Sequence, residues 1–448
     1  MGRLFGTDGI RGIANKELTA DLTCKIGQAS AYVLTKPMQK PSIIIGTDTR
    51  ISCDMIESAL VAGICSVGVQ AYCVGVIPTP AISYLTKKHN ASAGIMISAS
   101  HNSFEFNGIK LFNNEGRKLS DEVERRIESI ILDKSEKIEL TGGKGIGNKH
   151  KANKFKDEYI SFIKETSKYS LDGLKISVDC SNGSASNIAP VVLKELGAEV
   201  FTINNEPNGT NINKNCGSTN LKKISDFVVQ CGSDIGIAFD GDADRVLTVD
   251  ENGEVVDGDR IMAIIGLDMK KKGELKKNTI VATIMSNIGL DIMAKNEGIN
   301  IVRTKVGDRY VVEKMLEEGY SIGGEQSGHI VLIDKNSTGD GILTSVRLLN
   351  ILKNSNKRFS DLASFMKVFP QVLKNAKVDN NKKNEYLSDK VILKKCNELN
   401  EEFAGKGRIL VRPSGTEPLI RVMIEGSDIN YIEDKANKLA RMIEERLN

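Results

Sequence analysis

Two patterns of apolar residues alternate along this chain: short unbroken runs, and stretches with an apolar residue every third or fourth position. The first marks buried strands and the second amphipathic helices. Thr19 stands where an N-cap belongs, ahead of a stripe of Leu22, Ile26, Ala29 and Val33. A strand follows at Ser42 to Ile45, then a helix with Met55, Ala59 and Ala62 on one face, then a strand at Gln70 to Val74. After the turn Pro78-Thr79-Pro80 and a short helix comes the strand Gly94 to Ser98. Residues 139–154, rich in glycine and lysine, read as a surface loop, and Phe155, Tyr159, Phe162 and Ile163 mark a connecting helix. The alternation recurs from Leu174 to Phe239 and again from Thr279. It gives way after the polar segment Lys374 to Lys383 to strands at Arg408 to Val411 and Leu419 to Ile424. A helix striped by Ile432, Ala436, Leu439 and Ile443 ends the chain.

Strand–helix–strand repetition predicts mostly parallel sheets covered on both faces, whereas the last stretch predicts a smaller α+β domain. The three α/β segments share a pattern without visible identity, so an internal repeat rests on pattern alone. The expected divisions are 1–153, 154–256, 257–370 and 371–448.

Composition narrows the function classes. Hydrophobic residues make up 40% and charged residues 27% of the 448, as in soluble globular proteins. A net charge of +3 from 61 basic and 58 acidic residues indicates neither a nucleic-acid nor a membrane partner. Apolar runs such as Ile43-Ile44-Ile45 are too short to span a bilayer, and the N-terminus lacks a signal-peptide core. The 8 cysteines are scattered without a C-x-x-C pair, which predicts reduced, buried thiols in the cytoplasm.

Four polar loops carry candidate chemistry. Asp240, Asp242 and Asp244 follow the apolar strand that ends at Phe239. Like charges at that spacing repel unless a cation gathers them, and an all-oxygen set favours Mg²⁺ or Ca²⁺. An EF-hand is excluded because Arg245 stands where its loop needs glycine and because both flanks read as strand. Ser100 and His101 lie just past the end of the strand Gly94 to Ser98, followed by Asn107-Gly108 and Lys110. Ser100 reads as a turn serine or as a carrier of a phosphoryl group beside a metal. A Ser-His hydrolase is disfavoured, since no G-x-S-x-G elbow is present and neighbours in a strand point to opposite faces. Arg412, Ser414, Gly415, Thr416 and Arg421 offer guanidinium, hydroxyl and backbone N–H groups suited to a phosphate dianion. Glu325 and Ser327 are placed to meet vicinal sugar hydroxyls; His329 reads equally as a ligand contact or a structural histidine.

The ordered blocks GRLFGTDGIRG (Gly2 to Gly12), SASHN (Ser98 to Asn102), NGIKLF (Asn107 to Phe112) and DGDADR (Asp240 to Arg245) resemble the α-D-phosphohexomutase superfamily. So do VGDRYV (Val306 to Val311), GEQSGH (Gly324 to His329), TGDG (Thr338 to Gly341) and RPSGTEP (Arg412 to Pro418). Within it the chain is similar to the bacterial phosphoglucosamine mutases. The resemblance covers nearly the whole chain. It departs at Ser103, where proline is common, and at Asp308, near which hexose-type relatives often carry histidine. It implies three related α/β domains with mixed, mostly parallel sheets and a C-terminal α+β domain around a central cleft.

The resemblance also implies interconversion of glucosamine 6-phosphate and glucosamine 1-phosphate through a phosphoserine at Ser100 and a sugar 1,6-bisphosphate. The product would feed UDP-N-acetylglucosamine and cell-wall synthesis. One Mg²⁺ would be held by Asp240, Asp242, Asp244 and the Ser100 phosphate. Arg11, Lys110 and His101 would line the reacting end, with His101 or Lys110 moving the hydroxyl proton. Arg245, Glu325, Ser327 and His329 would contact the sugar, and Arg412, Ser414, Gly415, Thr416 and Arg421 the phosphate not being transferred. The partner is a small phosphosugar, and the chain is a monomer or homodimer. Two alternatives stand: a phosphoglucomutase or phosphomannomutase on the same fold, and a non-catalytic Ca²⁺ or sugar-phosphate binding protein.

Overall fold

The computed structural model describes residues 2–6, 8–35, 41–414 and 417–448. The chain divides into two compact units. One comprises Met1–Met285 with Val302–Ser364, the other Ser286–Ile301 with Phe365–Asn448.

The first unit holds three sheets that carry the loops of Ser100, Asp240 to Asp244 and Glu325. In the seven-stranded sheet the order is Phe5–Gly6, Gly9–Ile13, Phe106–Asn113, Ala93–Ile97, Ser42–Thr47, Gln70–Val76, Lys149–Lys151. Pairing is antiparallel up to Ala93–Ile97 and parallel beyond it. Ile43, Ile45, Ile95 and Ile97 from its centre pack with Ile26, Ile56, Leu60 and Ile64 of the helices Ala20–Leu34 and Cys53–Ser66 in one core. The stripe at Leu22 and Ile26 is helical as predicted, and Thr19 Oγ1 accepts from Leu22 N at 3.3 Å. The stretch 139–154 is a loop only in part. Lys149–Lys151 adds a parallel strand at the sheet edge, where charged side chains give no apolar signal and discourage further pairing.

In the five-stranded sheet the order is Val255–Val256, Val246–Asp250, Ile235–Phe239, Lys175–Asp179, Glu199–Ile203. Ile235–Phe239 runs parallel to Lys175–Asp179 and forms a hairpin with Val246–Asp250. The acidic loop is therefore a strand–strand connection, with Phe239 opposite Val246, and the helices an EF-hand needs are absent from both flanks. A third sheet brings Thr279–Thr283, Ile322–Gly324 and Ile330–Leu332 together, the last two as a hairpin that carries Glu325 and Ser327 at its turn. Parallel and antiparallel pairs thus mix within the sheets.

The second unit is built on a three-stranded antiparallel sheet ordered Gln371–Lys377, Leu419–Gly426, Gly407–Pro413. Ile420, Val422 and Ile424 pack with Ile392 and Leu399 of the helix Lys390–Phe403. Ile432, Ala436, Leu439 and Ile443 of the helix Ile429–Leu447 complete that core, as their spacing predicts. All 8 cysteines are free thiols. Among the described residues no helix is long and apolar enough to cross a membrane.

Candidate active site

Ala93–Ile97 is buried at every position and delivers Ser98 to His101 past its carboxyl end. The chain turns there through a left-handed Ser100, at φ 52°. That conformation costs a non-glycine residue about 1–2 kcal/mol and survives only where neighbours hold it. The turn also corrects the expectation that His101 points away from Ser100. These residues are not in a strand, and His101 Nδ1 lies 3.3 Å from Ser100 Oγ. Burial, then Arg245 and Arg11, push the His101 ring down to about 4, so it is neutral near pH 7.

Ser100 meets the acidic loop directly, its Oγ donating to Asp240 Oδ2 at 2.6 Å. The close approach needs the glycine at 241, where a Cβ would stand 2.6 Å from Ser100 O. One metal-ligating atom from each of Asp240, Asp242 and Asp244 lies within 4.8 Å of the others, and all three residues are buried. Burial and the like charges of Asp244 and Asp242 drive Asp240 well above the usual carboxylate range. Oδ1 of Asp242 and Oδ1 of Asp244 are buried without a hydrogen bond. Buried, closely spaced, hydrogen-bond-free carboxylate oxygens suit a hard divalent cation, so these residues fit Mg²⁺.

Lys110 reaches the same acids from Phe106–Asn113. Its Nζ stands 2.8 Å from Asp242 Oδ2, 2.9 Å from Asp244 Oδ2 and 2.9 Å from Asp8 Oδ2. Burial alone would lower this ammonium, but Asp242, Asp244 and Asp8 more than offset it and hold it well above its ordinary value. Lys110 is therefore a fixed cation.

Asp8, Lys118, Thr79 and Asp308 are contributors that sequence reasoning gave no role. Asp8 pairs with Arg11 at 2.5 Å and, through its other oxygen, with Lys118, which also reaches Asp308 Oδ2 at 2.6 Å. Burial would raise Asp8, yet Lys110, Lys118 and Arg11 keep it well below its usual range. Thr79 Oγ1 donates to Asp242 Oδ2, and Thr79 N donates to Asp242 O at 2.9 Å. The only signal for Asp8 was its place in GRLFGTDGIRG, directly before Gly9 and one helical turn's length before Arg11; Thr79 lay in a stretch read only as a turn.

A cavity of about 540 Å³ opens beside these groups, lined among others by Asp8, Arg11, His101, Arg245, Glu325 and His329. Ser100 itself is fully buried, and His101 is the residue of its loop that reaches the cavity wall. Glu325 Oε1 accepts from Gly307 N at 3.0 Å, and Oε2 from Ser327 Oγ at 3.4 Å. His329 is buried, and its Nε2 accepts from Gly339 N at 3.0 Å. In the neutral ring the proton then sits on Nδ1, facing Asp244 Oδ1 at 3.8 Å.

The arginine loop belongs to the second unit. Arg412 and Arg421 stand opposite each other across the strands Gly407–Pro413 and Leu419–Gly426. Burial and then Arg421 lower the Arg412 guanidinium, the cost of like charges side by side, which an anion would relieve. Arg421 Nη2 pairs with Glu417 at 2.8 Å, and Ser414 Oγ accepts from Glu417 N at 3.2 Å. Lys383, which sequence reasoning passed over, donates to Ser414 O at 2.6 Å and Glu417 O at 2.9 Å. Gly415 and Thr416 lie outside the described residues.

Four family models match the chain in order. They describe phosphoglucomutase/phosphomannomutase α/β/α domain I over residues 2–138, domain II over 157–253, domain III over 257–369 and the C-terminal domain over 373–444. A phosphoglucosamine mutase of Acetivibrio thermocellus is 62% identical over 448 residues, covering 100% of both chains. One of Clostridium acetobutylicum is 54% identical over 448 residues with the same full coverage. Among solved structures, a phosphoglucomutase/phosphomannomutase family protein of Burkholderia thailandensis superposes with a TM-score of 0.83 at 23% identity. The match covers 99% of this chain and 98% of that one. Aspergillus fumigatus N-acetylphosphoglucosamine mutase, solved with GlcNAc-6P and magnesium, gives a TM-score of 0.70 at 16% identity, over 99% of this chain and 96% of that one. With the motifs in register and similarity running end to end, the chain belongs to the phosphoglucomutase/phosphomannomutase family, among the phosphoglucosamine mutases.

Proposed function

We propose that the chain interconverts glucosamine 6-phosphate and glucosamine 1-phosphate, with Ser100 as the phosphoryl carrier. The observation that carries this is the 2.6 Å hydrogen bond from Ser100 Oγ to Asp240, which sets a hydroxyl against a buried acidic triplet. Asp240, Asp242, Asp244 and the Ser100 phosphate would hold Mg²⁺. When bound, the ion offsets charge on the transferring oxygens and on the serine oxygen as it leaves.

The chain's own groups do the rest. A sugar hydroxyl attacks the phosphorus, the bond from phosphorus to Ser100 Oγ breaks, and a sugar 1,6-bisphosphate forms. The hydroxyl proton passes to His101, which is neutral and lines the cavity. Lys110, ringed by Asp242, Asp244 and Asp8, steadies the phosphoryl oxygens, with Arg11 beside it. His101 Nδ1, 3.3 Å from Ser100 Oγ, hands the sugar hydroxyl's proton on to the departing serine oxygen, and Asp240 holds the resulting hydroxyl in place. The bisphosphate then turns and returns its other phosphate to Ser100. Glu325 and Ser327 take sugar hydroxyls, Arg245 and His329 line the binding wall, and Arg412, Ser414, Gly415, Thr416 and Arg421 bind the phosphate that stays on the sugar.

Intact mass and turnover of Ser100→Ala test the carrier. The variant loses both the covalent phosphate and activity; retained turnover refutes the role. Competing glucosamine 6-phosphate against glucose 6-phosphate and comparing kcat/KM tests the substrate. A preference for the hexose favours the phosphoglucomutase alternative, and no turnover of either favours a binding protein.

A further inference from the structure

The loop that presents Ser100 is held by side chains that touch neither the reacting oxygen nor the acidic triplet. Arg50 is buried, and its Nη2 donates to Ser100 O at 3.0 Å and to Asn102 O at 2.9 Å. Its Nη1 donates to Phe106 O at 3.1 Å and to Ser103 O. The charge is offset by Asp48, whose Oδ2 lies 2.8 Å from Arg50 Nε. Asp48 Oδ2 also accepts from Ser98 Oγ at 2.6 Å, and that oxygen accepts from Ser100 N at 2.9 Å. Asn213 Nδ2 likewise donates to Ser100 O at 2.8 Å and to Asn102 O at 2.9 Å. Asn213 is fixed in turn by its N–H on Ser181 O at 2.9 Å. Two carbonyls, those of Ser100 and Asn102, thus each accept from both Arg50 and Asn213.

A left-handed residue without glycine's freedom needs such restraint. With its backbone gripped, Ser100 holds its side chain toward Asp240. We infer that Arg50 and Asn213 are positioning residues that aim the Ser100 oxygen by clamping the carbonyls of its loop. Asn213 sits in the long polar loop after Glu199–Ile203, so the aim of the serine depends on the five-stranded-sheet segment being docked on the seven-stranded one. The inference rests on Ser100 being the phosphoryl carrier.

The test uses the full chain with Asn213→Ala, Asn213→Asp and Arg50→Lys, and Ser100→Ala in parallel. Asn213 is only half-buried, so its variants keep the test alive if Arg50→Lys fails to fold. Misplacing a reacting group lowers turnover without weakening binding. Asn213→Ala should lower kcat by about tenfold or more, with KM for glucosamine 6-phosphate and the Mg²⁺ requirement within about twofold. Asn213→Asp should be slower still, because it sets a carboxylate oxygen against two carbonyls. Wild-type kcat in both Asn213 variants, or a change in KM alone, overturns the clamp while inactivity of Ser100→Ala upholds the carrier. Activity in Ser100→Ala overturns both.

Discussion

Asp242 accepts a hydrogen bond from Thr79 on one carboxylate oxygen and keeps the other buried without a hydrogen bond. A side chain that orients a metal-binding carboxylate typically changes metal affinity or activity by 10- to 100-fold when removed. Thr79→Val should therefore raise the Mg²⁺ concentration for half-maximal activity by about ten- to hundredfold, and an unchanged requirement would remove Thr79 from the site. His101→Gln keeps a polar side chain but loses the proton acceptor. Its kcat should fall by about 10²- to 10⁴-fold with KM nearly unchanged, and a variant as fast as the wild type would place the acceptor elsewhere. At this scale the sequence spoke clearly where chemistry clustered locally, as in Asp240 to Asp244. It was silent where partners are far apart in the chain. Asp8 gains its meaning from Lys110 and Lys118, and Thr79 from Asp242, contacts that only the folded chain creates.

At the scale of elements, the TGDG block turns out to end in a helix cap. Asp340 Oδ1 accepts from Leu343 N at 3.0 Å at the start of Gly341–Ser355 and from Tyr159 OH at 2.9 Å on Lys154–Glu165. Burial pushes Asp340 up from 3.8 to about 6 against the pull of these hydrogen bonds. The folded chain then binds more protons than the unfolded one between those values, so this residue's contribution to stability falls as pH rises from about 4 to about 6 and is flat above. The shift corresponds to about 3 kcal/mol. The Tm of Asp340→Asn, followed by calorimetry from pH 4 to 7, should lack that decline relative to the wild type. Parallel curves for the two proteins would contradict it. The alternation of strands and helices was legible because buried strands and striped helices have different periods. The edge strand Lys149–Lys151 was not, since its three residues are all basic and none is apolar.

The whole molecule presents two compact units with separate cores. Ile432 is fully buried in the second, and Ile432→Ala should cost about 2–5 kcal/mol. Calorimetry should show one unfolding transition shifted and the other in place; a uniform shift would mean the units unfold as one. The near-balanced charge gave no hint of this division, which follows from where contacts concentrate. Joining the helix Ile288–Asn296 to the second unit is likewise a matter of contacts, since Ile288 N donates to Glu425 Oε2 at 3.0 Å.

The account turns on a phosphate that Ser100 carries and gives away. The protein, radiolabelled on Ser100 with a labelled sugar 1,6-bisphosphate and freed of excess label, would be mixed with unlabelled glucosamine 6-phosphate and Mg²⁺ and quenched within a single turnover. The account predicts that label leaves the protein and appears on glucosamine phosphates. Label that stays on Ser100, or that departs only as inorganic phosphate, would contradict it.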